Sequence, residues 1–264
     1  MKIFLVIIAL LQSVSMAFAQ EWAGSELKVM AYNIHHCNPP SKPDVINVDA
    51  IANVILAELP DLVALQEVDV HTGRSGQHLH QANVLARLTG MHYYFKKAID
   101  HDGGEYGVAV LSRFPIEDTL GFALPMAPGI GGEPRAVAAV KVRLPNGPLV
   151  TFASTHLDLN EAHRVLQAEK ITDELATDNS MVIIAGDFNA AAGSPSINVM
   201  DQSFRRTCVG SDCPGTIPVS NPNRVIDYIF YRPLADVKVI EHRVIAETYA
   251  SDHRPVVAVL QVGE

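Results

Sequence analysis

The stretch MVIIAGDFN, residues 181–189, joins a run of apolar, strand-forming residues to a polar end. The run shows no alternation of polar and apolar residues, which is typical of a strand buried on both faces of a sheet. Asp187 and Asn189 then follow directly. Burying a carboxylate is costly unless it is paired or bound to a cation. The stretch therefore predicts a core strand that ends at a functional edge.

Polar side chains also follow or interrupt several other predicted strands. Together with Asp187 and Asn189, these side chains form a set that also contains Asn33, Glu67, His156, Asp158, Asp227, Asp252 and His253. Because strand ends at one edge of an α/β sheet converge in space, we expect these side chains to lie close together. Carboxylate oxygens without thiolate or His-rich spacing suit a hard cation, Mg²⁺, with Mn²⁺ and Ca²⁺ as alternatives.

Each of these residues also has an ordinary structural interpretation. Asp158 after a strand is equally typical of a helix cap or a turn, and Asp187 after Gly186 is typical of a turn. A single histidine such as His156 is often a hydrogen-bonded core residue. The recurrence of such residues at comparable places is what favours a site.

The rest of the chain interleaves strands with helices. Apolar periodicity predicts helices over residues 49–59, 80–90 and 160–177. Strands are predicted over residues 27–33, 62–68, 107–112, 136–144, 149–156, 181–189, 224–232, 237–244 and 255–262. The turn PNGP between two of them indicates a hairpin. Hairpins mixed with interleaved helices predict an α/β domain with mixed sheets.

A series of segments, in this order, resembles the endonuclease/exonuclease/phosphatase superfamily over residues 27–260. The segments are MAYNIHH, LQEVD, GVAVLSR, STHLD, AGDFNA, RVIDYIF and SDHRPVVA. The resemblance implies a four-layer αββα sandwich of two mixed β-sheets, and divalent-metal-dependent hydrolysis of a phosphate ester. Many relatives carry Gly-Asn-Ala before LSR, where this chain has Gly107, Val108 and Ala109. We interpret this departure as the loss of one polar contact.

The matching residues imply a set of catalytic roles. Asp187 orients and deprotonates the attacking water. Asn189, on the same face of an extended segment, donates its amide to a phosphate oxygen. His253 contacts the phosphate, and Asp227, inside an apolar strand, accepts from its other ring nitrogen and fixes its tautomer. His156 resembles the family residue that contacts the scissile phosphate or the leaving group.

The resemblance also implies a metal site. Glu67 is the predicted principal ligand, with Asn33 as its partner. Asp252 is predicted as a second ligand.

Substrate contacts are predicted on separate grounds. Four side chains form this set: Arg74, Arg135, Tyr106 and Asp158. Arg74 lies in the histidine-rich stretch of residues 71–81, which either lines the cleft or is an ordinary surface loop. The early histidines His35 and His36 have the same two interpretations, and Asp158 is expected to support His156.

The first residues differ from the rest of the chain. Lys2, an apolar core and an Ala-x-Ala pattern ending at Ala19 predict a signal peptide over residues 1–19. The alternative is a membrane anchor, but the apolar core is well short of the ~20 residues that span a bilayer. We therefore expect one soluble, monomeric domain over residues 20–264, secreted or periplasmic and without a transmembrane segment.

The three cysteines fit an exported protein. Cys208 and Cys213 bracket a short polar loop, and an oxidising compartment favours a disulfide between them. The alternative is two free thiols. Cys37 is left without a predicted role.

Net charge bears on the substrate. The chain has a formal net charge of −9, and removal of a leader that contains Lys2 makes it −10. Polyanion binding depends on Lys and Arg that neutralise phosphates. A small or lipid-derived phosphate ester is therefore favoured over DNA or RNA, with a secreted nuclease as the alternative. A non-catalytic binding module on this fold would have lost Asp187, His253 or Glu67, and all three are present.

Overall fold

The computed structural model describes residues 26–145, 147–232 and 237–262. The predicted leader and Asn146 of the PNGP turn lie outside these residues.

Strands and helices alternate along the chain. The strands are β1 (Glu26–Asn33), β2 (Leu62–Val70), β3 (His92–His101), β4 (Gly104–Ser112), β5 (Ile116–Ala123), β6 (Ala136–Arg143), β7 (Leu149–His156), β8 (Met181–Asp187), β9 (Arg205–Arg206), β10 (Asp227–Tyr231), β11 (Val237–Val244) and β12 (Val256–Val262). The helices are α1 (Val48–Glu58), α2 (Gln81–Thr89), α3 (Glu161–Leu175) and α4 (Pro195–Ser203).

The strands form two six-stranded sheets. The first has the order β11-β12-β1-β2-β4-β3, and the second has the order β5-β6-β7-β8-β10-β9. Each sheet is mixed, since β1 pairs with β2 and β7 with β8 in parallel, while the other neighbouring strands are antiparallel. The predicted mixed sheets are confirmed.

Apolar side chains cover both faces of each sheet. Between the sheets, Val29 and Ala64 of the first share one core with Val140, Phe152 and Ile183 of the second. A second core joins the outer face of the first sheet to α1 and α2. A third joins the outer face of the second sheet to α3 and α4. The fold is therefore a four-layer αββα sandwich, as the resemblance implied.

The helices begin and end where local chemistry indicates. Asn47 and Asn160 cap α1 and α3, with side chains that accept from the backbone N–H of Ala50 and Ala162. Helix α2 ends at Gly90, whose φ of 69° is the left-handed conformation that glycine adopts without strain.

The sequence analysis missed β3, β5, β9 and α4. Edge strand β3 is largely half-exposed and edge strand β5 is largely exposed, and neither has a clean apolar alternation. Helix α4 has only nine residues, marked mainly by Pro195 in its first turn. One boundary is also corrected, since Asp227 begins β10 and does not lie inside the strand.

Two further features concern the cysteines and the membrane. Cys208 and Cys213 form a disulfide with Cα atoms 5.8 Å apart, and Cys37 is a buried free thiol. Among the described residues, none of the helices has the length and apolar character needed to cross a membrane.

Candidate active site

Strand pairing in the second sheet places three ionisable side chains in one row. His156 at the end of β7 is opposite Asp187 in the parallel β7–β8 pair. Asp187 is in turn opposite Asp227 in the antiparallel β8–β10 pair. Directly opposed residues on neighbouring strands lie on the same face of a sheet. The row therefore follows from the register of the two pairs.

Asn33 connects this row to the first sheet. Its Nδ2 donates to Glu67 Oε1 and to Asp187 Oδ2, at 3.1 Å in each case. Its Oδ1 accepts from the backbone N–H of His35. Asn33 thus holds a carboxylate from each sheet, with its nitrogen and not its oxygen facing them.

Glu67 reaches the site through an irregularity in β2. Pairing with β4 shifts register between Leu65 and Val68, and Glu67 has a φ of 57°. Such bulges redirect side chains next to functional sites. Burial by itself raises the pKa of Glu67, but the nearby His36 imidazole and the Asn33 amide help to hold the pKa well below its usual range. Glu67 is therefore an anion at neutral pH.

His253 and Asp227 form a buried pair. His253 Nδ1 lies 2.9 Å from Asp227 Oδ2 and 3.1 Å from Oδ1, so Nδ1–H donates and Nε2 faces Asp187 Oδ2 at 3.7 Å. Burial lowers the pKa of His253, but the charge and hydrogen bond of Asp227 outweigh it and raise the pKa to about 10. His253 is therefore a cation here.

Asp187 lies between cationic and anionic neighbours. Burial and the negative charge of Asp227 raise its pKa to about 7, against the opposing effects of His253 and the backbone N–H of Asn189. A carboxylate whose pKa lies near neutral pH is suited to accept a proton from water.

His156 lies beside a buried arginine. Arg135 Nη1 lies 3.2 Å from His156 Nδ1, and Arg135 Nη1 also pairs with Glu133 at 2.9 Å. A guanidinium only donates, so His156 Nδ1 accepts from Arg135, and Nε2 lies 3.0 Å from Asn189 Nδ2 and 3.4 Å from Asp187 Oδ2. Burial and the Arg135 charge hold the pKa of His156 well below its ordinary value. His156 is therefore a neutral imidazole at neutral pH.

Asn189 reaches the site by a different route from the one expected. Strand β8 ends at Asp187, and Asn189 has a φ of 49°, so the segment is a turn and not extended backbone. Its N–H donates to Asp187 Oδ1 at 2.8 Å, and its Nδ2 lies 2.9 Å from Leu157 O and 3.0 Å from His156 Nε2. The predicted proximity holds, but the predicted same-face geometry is wrong because the strand stops first.

The four predicted substrate contacts have different surroundings. Arg74 donates through Nε and Nη2 to the buried Asp69 at 2.7 and 2.8 Å, and its guanidinium lies over the ring of Tyr106. Burial raises the pKa of the Tyr106 phenol far above its ordinary value. Arg135 is buried against His156. Of Arg74, Tyr106 and Arg135, only Arg135 directly contacts the row formed by His156, Asp187 and Asp227.

Asp158 organises the loop before β6. It accepts from the backbone N–H groups of Glu133 and Asn160, and His163 Nδ1 lies 3.3 Å away. These contacts hold the segment that carries Arg135. Direct support of His156 by Asp158 stays a prediction.

Two groups of potential metal-ligating atoms occur among the described residues. His35, His36 and Glu67 form the first, and Asp187, Asp227 and His253 form the second, with ligand atoms within 4.8 Å of one another in each. In the second group, His253 Nδ1 already donates to Asp227. The first group offers an anionic carboxylate and a buried ring nitrogen of His36 without a hydrogen-bond partner. Its residues therefore fit a divalent cation.

Sequence reasoning treated His35 and His36 only as cleft-lining candidates, although both lie in the MAYNIHH segment. Asp252 belongs to neither group. It is half-buried, with Ser251 Oγ 3.4 Å from its Oδ1. Its role as a metal ligand stays a prediction.

A four-layer sandwich with this arrangement of carboxylates, histidines and amides at converging strand ends is the architecture of a class of phosphoester hydrolases. A model of the Endonuclease/Exonuclease/phosphatase family matches residues 30–253, and the chain belongs to this family.

The uncharacterized protein YbhP of Escherichia coli (strain K12) is 28% identical over 177 residues, which cover 61% of this chain and 66% of YbhP. The chain thus matches just under two thirds of that relative's length.

Solved structures share the fold. An endonuclease/exonuclease/phosphatase from Beutenbergia cavernae is 26% identical, with a TM-score of 0.75 over 90% of this chain and 72% of that chain. A mannosyl-6-phosphatase from Bacteroides thetaiotaomicron is 21% identical, with a TM-score of 0.69 over 89% of this chain and 99% of that chain. The second likeness shows the fold alone.

Proposed function

We propose that this protein is an exported phosphoesterase that depends on a divalent cation and hydrolyses a small or lipid-derived phosphate ester. The observation that carries the proposal is the convergence of Asp187 with Glu67, His156 and His253 at one edge of the two sheets. The family assignment supports hydrolysis of a phosphate ester.

Asp187 is the proton acceptor for the attacking water. Its Oδ2 accepts from the Asn33 amide at 3.1 Å and its Oδ1 from the backbone N–H of Asn189 at 2.8 Å, which fixes its orientation, and the His156 and His253 rings lie 3.4 and 3.7 Å from Oδ2. Its raised pKa of about 7 gives it useful basicity at neutral pH. Attack of the water on phosphorus transfers one proton to Asp187 and expels the ester oxygen.

Negative charge that builds on the phosphoryl oxygens meets positive groups that are already in place. His253, kept protonated by Asp227, presents Nε2–H, and the Arg135 guanidinium lies beside neutral His156. Preorganised donors of this kind stabilise a transition state without reorganisation. A cation held by Glu67, with Asn33 and Asp252 as its further predicted partners, would supply Lewis-acid stabilisation of the same oxygens.

The charge of the chain favours a small substrate. The acidic chain opposes a long polyanion, whereas a buried Arg135 beside His156 adds one cation at the reacting centre. This pattern favours a compact phosphate group over a duplex that contacts many surface cations.

The experiment is a substrate panel with the purified mature domain and Mg²⁺ or Mn²⁺ at low salt. The panel contains a chromogenic phosphodiester, simple phosphomonoesters, glycerophosphodiesters, sphingomyelin, phosphoinositides, RNA and plasmid DNA. We expect kcat/KM on a small or lipid-derived ester to exceed that on plasmid DNA, although low salt favours DNA binding. Efficient plasmid nicking without activity on the other esters would identify a nuclease instead. No cleavage of any ester with either cation would contradict the phosphoesterase assignment.

A further inference from the structure

The segment after β1 adopts an unusual backbone. His35, His36 and Cys37 have φ values of 45°, 43° and 60°, and Glu67 beside them has a φ of 57°. Residues other than glycine rarely occupy this left-handed region, and consecutive ones are rarer still. Backbone held in such conformations clusters at functional sites, where the surrounding structure fixes it.

Hydrogen bonds hold this strained turn in place. The backbone N–H of Ile34 donates to Gln66 O at 3.1 Å, and that of Asn47 donates to Cys37 O at 2.7 Å. The Gln81 amide donates to His36 O at 2.6 Å. The turn is therefore built into the fold, and it places both imidazoles next to Glu67.

His35 has the tautomer that a metal ligand needs. Its Nδ1 lies 2.8 Å from the backbone carbonyl of Asn38. A carbonyl only accepts, so Nδ1 carries the proton and Nε2 of the neutral ring has a free lone pair. Histidines that bind metals usually donate their other nitrogen to a carbonyl or carboxylate in this way.

His36 has a buried nitrogen that no protein group satisfies. Its Nδ1 has no hydrogen-bond partner and lies 3.8 Å from Glu67 Oε2, too far for a hydrogen bond. Two ligand atoms that each lie about 2.1 Å from one ion are separated by about 3.0 to 4.2 Å, depending on the angle between them. The observed separation falls in that range.

We infer that His35 and His36 are nitrogen ligands that complete the cation site at Glu67 and make it select a first-row transition-metal cation over Mg²⁺. The inference rests on the cation-dependent function proposed above and deepens it. Imidazole nitrogen binds Zn²⁺ and its first-row neighbours well, whereas Mg²⁺ prefers oxygen ligands. A site built from oxygen ligands alone would show this selectivity much more weakly.

The first test uses Mn²⁺ as a paramagnetic probe in the metal-stripped mature domain. Electron spin echo envelope modulation of the Mn²⁺-loaded protein should show ¹⁴N coupling from directly bound imidazole. The coupling should disappear in the double variant His35→Ala/His36→Ala. His78→Ala, at an exposed histidine of the neighbouring loop, is the matched control and should keep it. Absence of ¹⁴N coupling in the unaltered protein, or its persistence in the double variant, would overturn the inference.

The second test measures selectivity by calorimetric titration with Zn²⁺, Mn²⁺ and Mg²⁺. The double variant should weaken Zn²⁺ and Mn²⁺ binding by about 10-fold or more, and Mg²⁺ binding much less. An equal loss of affinity for all three cations, or no loss of affinity for any of them, would contradict the inference.

The two hypotheses fail separately. Ester hydrolysis by a protein whose bound Mn²⁺ shows no ¹⁴N coupling would reject the histidine ligands and keep the proposed function. Nitrogen coupling in a protein that cleaves no phosphate ester would keep the metal site and reject the proposed function.

Discussion

Asp227 lies directly opposite Asp187 across the β8–β10 pair, and both carboxylates are almost fully buried. The two carboxylates have different hydrogen-bond partners. Asp227 Oδ2 accepts from His253 Nδ1 at 2.9 Å, and Asp187 Oδ2 accepts from the Asn33 amide at 3.1 Å. Like charges at close range cannot both ionise cheaply. This juxtaposition helps to raise the pKa of Asp187 to about 7, so that Asp227 is the hydrogen-bond partner of His253 and Asp187 is the proton acceptor.

Replacement of the base or of the phosphate-contacting histidine should abolish most activity. Asp187→Asn and His253→Ala should each lower kcat by roughly 10²-fold or more, because one removes the proton acceptor and the other a preorganised donor. Asp173→Asn, at an exposed position of α3, is the control and should leave kcat unchanged. Circular dichroism checks folding, and full activity in either folded site variant would refute the mechanism.

Removal of divalent cations should stop the reaction. The Glu67 carboxylate is anionic, and the groups that lower its pKa are histidines and the Asn33 amide. We expect EDTA to abolish ester hydrolysis and added Mn²⁺ or Mg²⁺ to restore it. Activity that persists after metal analysis shows the protein to be cation-free would disprove the dependence.

Arg135 should control the protonation of His156. Burial comes first and the Arg135 charge second among the causes of the depressed His156 pKa, so Arg135→Met should move that pKa upward. We expect kcat to fall by about 10-fold or more because a preorganised cation is lost. Histidine ¹⁵N shifts recorded against pH give the pKa, and Arg143→Gln at the exposed C-terminal end of β6 is the control. An unchanged His156 titration in Arg135→Met would argue against this role.

Acid stability should depend on Asp178, far from the site. Burial raises its pKa, but the Ser180 backbone N–H at 2.8 Å, Lys141 at 3.1 Å and Thr151 at 3.0 Å outweigh burial and lower the pKa to about 2. The unfolded value is about 3.9, so this stabilisation is fully present above that pH and is lost as pH falls toward 2.

Urea midpoints measured between pH 7 and pH 2 test this expectation. Asp178→Asn should be less stable at pH 7 and should lose less stability on acidification than the unaltered protein. Parallel acid profiles for the two proteins would show that Asp178 does not carry the effect.

Export is tested by the mature N-terminus. The leader pattern predicts cleavage after Ala19, which leaves Gln20 first. Mass spectrometry of protein recovered from the periplasm or medium of an expressing bacterium should find this terminus. Retention of residues 1–19 on a membrane-bound product would favour the anchor interpretation.

Local sequence determined the elements of the core and their polar ends. Helices α1, α2 and α3 and most central strands follow from apolar periodicity and from caps such as Asn160 and Gly90, because these signals act within one or two turns of chain. Sequence also predicted Asp187, His253 and Glu67 as site residues, since a carboxylate or imidazole next to a buried strand is conspicuous among apolar neighbours, and the structure brings their side chains close together. Edge strands β3 and β5 were not predicted, because their half-exposed and exposed residues show no clear alternation of polar and apolar side chains.

Tertiary structure alone decided which of these side chains meet. Asn33 and Asp187 are 154 positions apart, and their contact depends on how two sheets pack. The contact of Arg135 with His156 depends on strand pairing within the second sheet. The position of the turn at Asn189 depends on where β8 ends. The left-handed turn at His35 and His36 is opposed by local preference and exists because long-range hydrogen bonds hold it beside Glu67. Local propensity cannot encode such an arrangement, since the energy that maintains it comes from contacts distant in sequence.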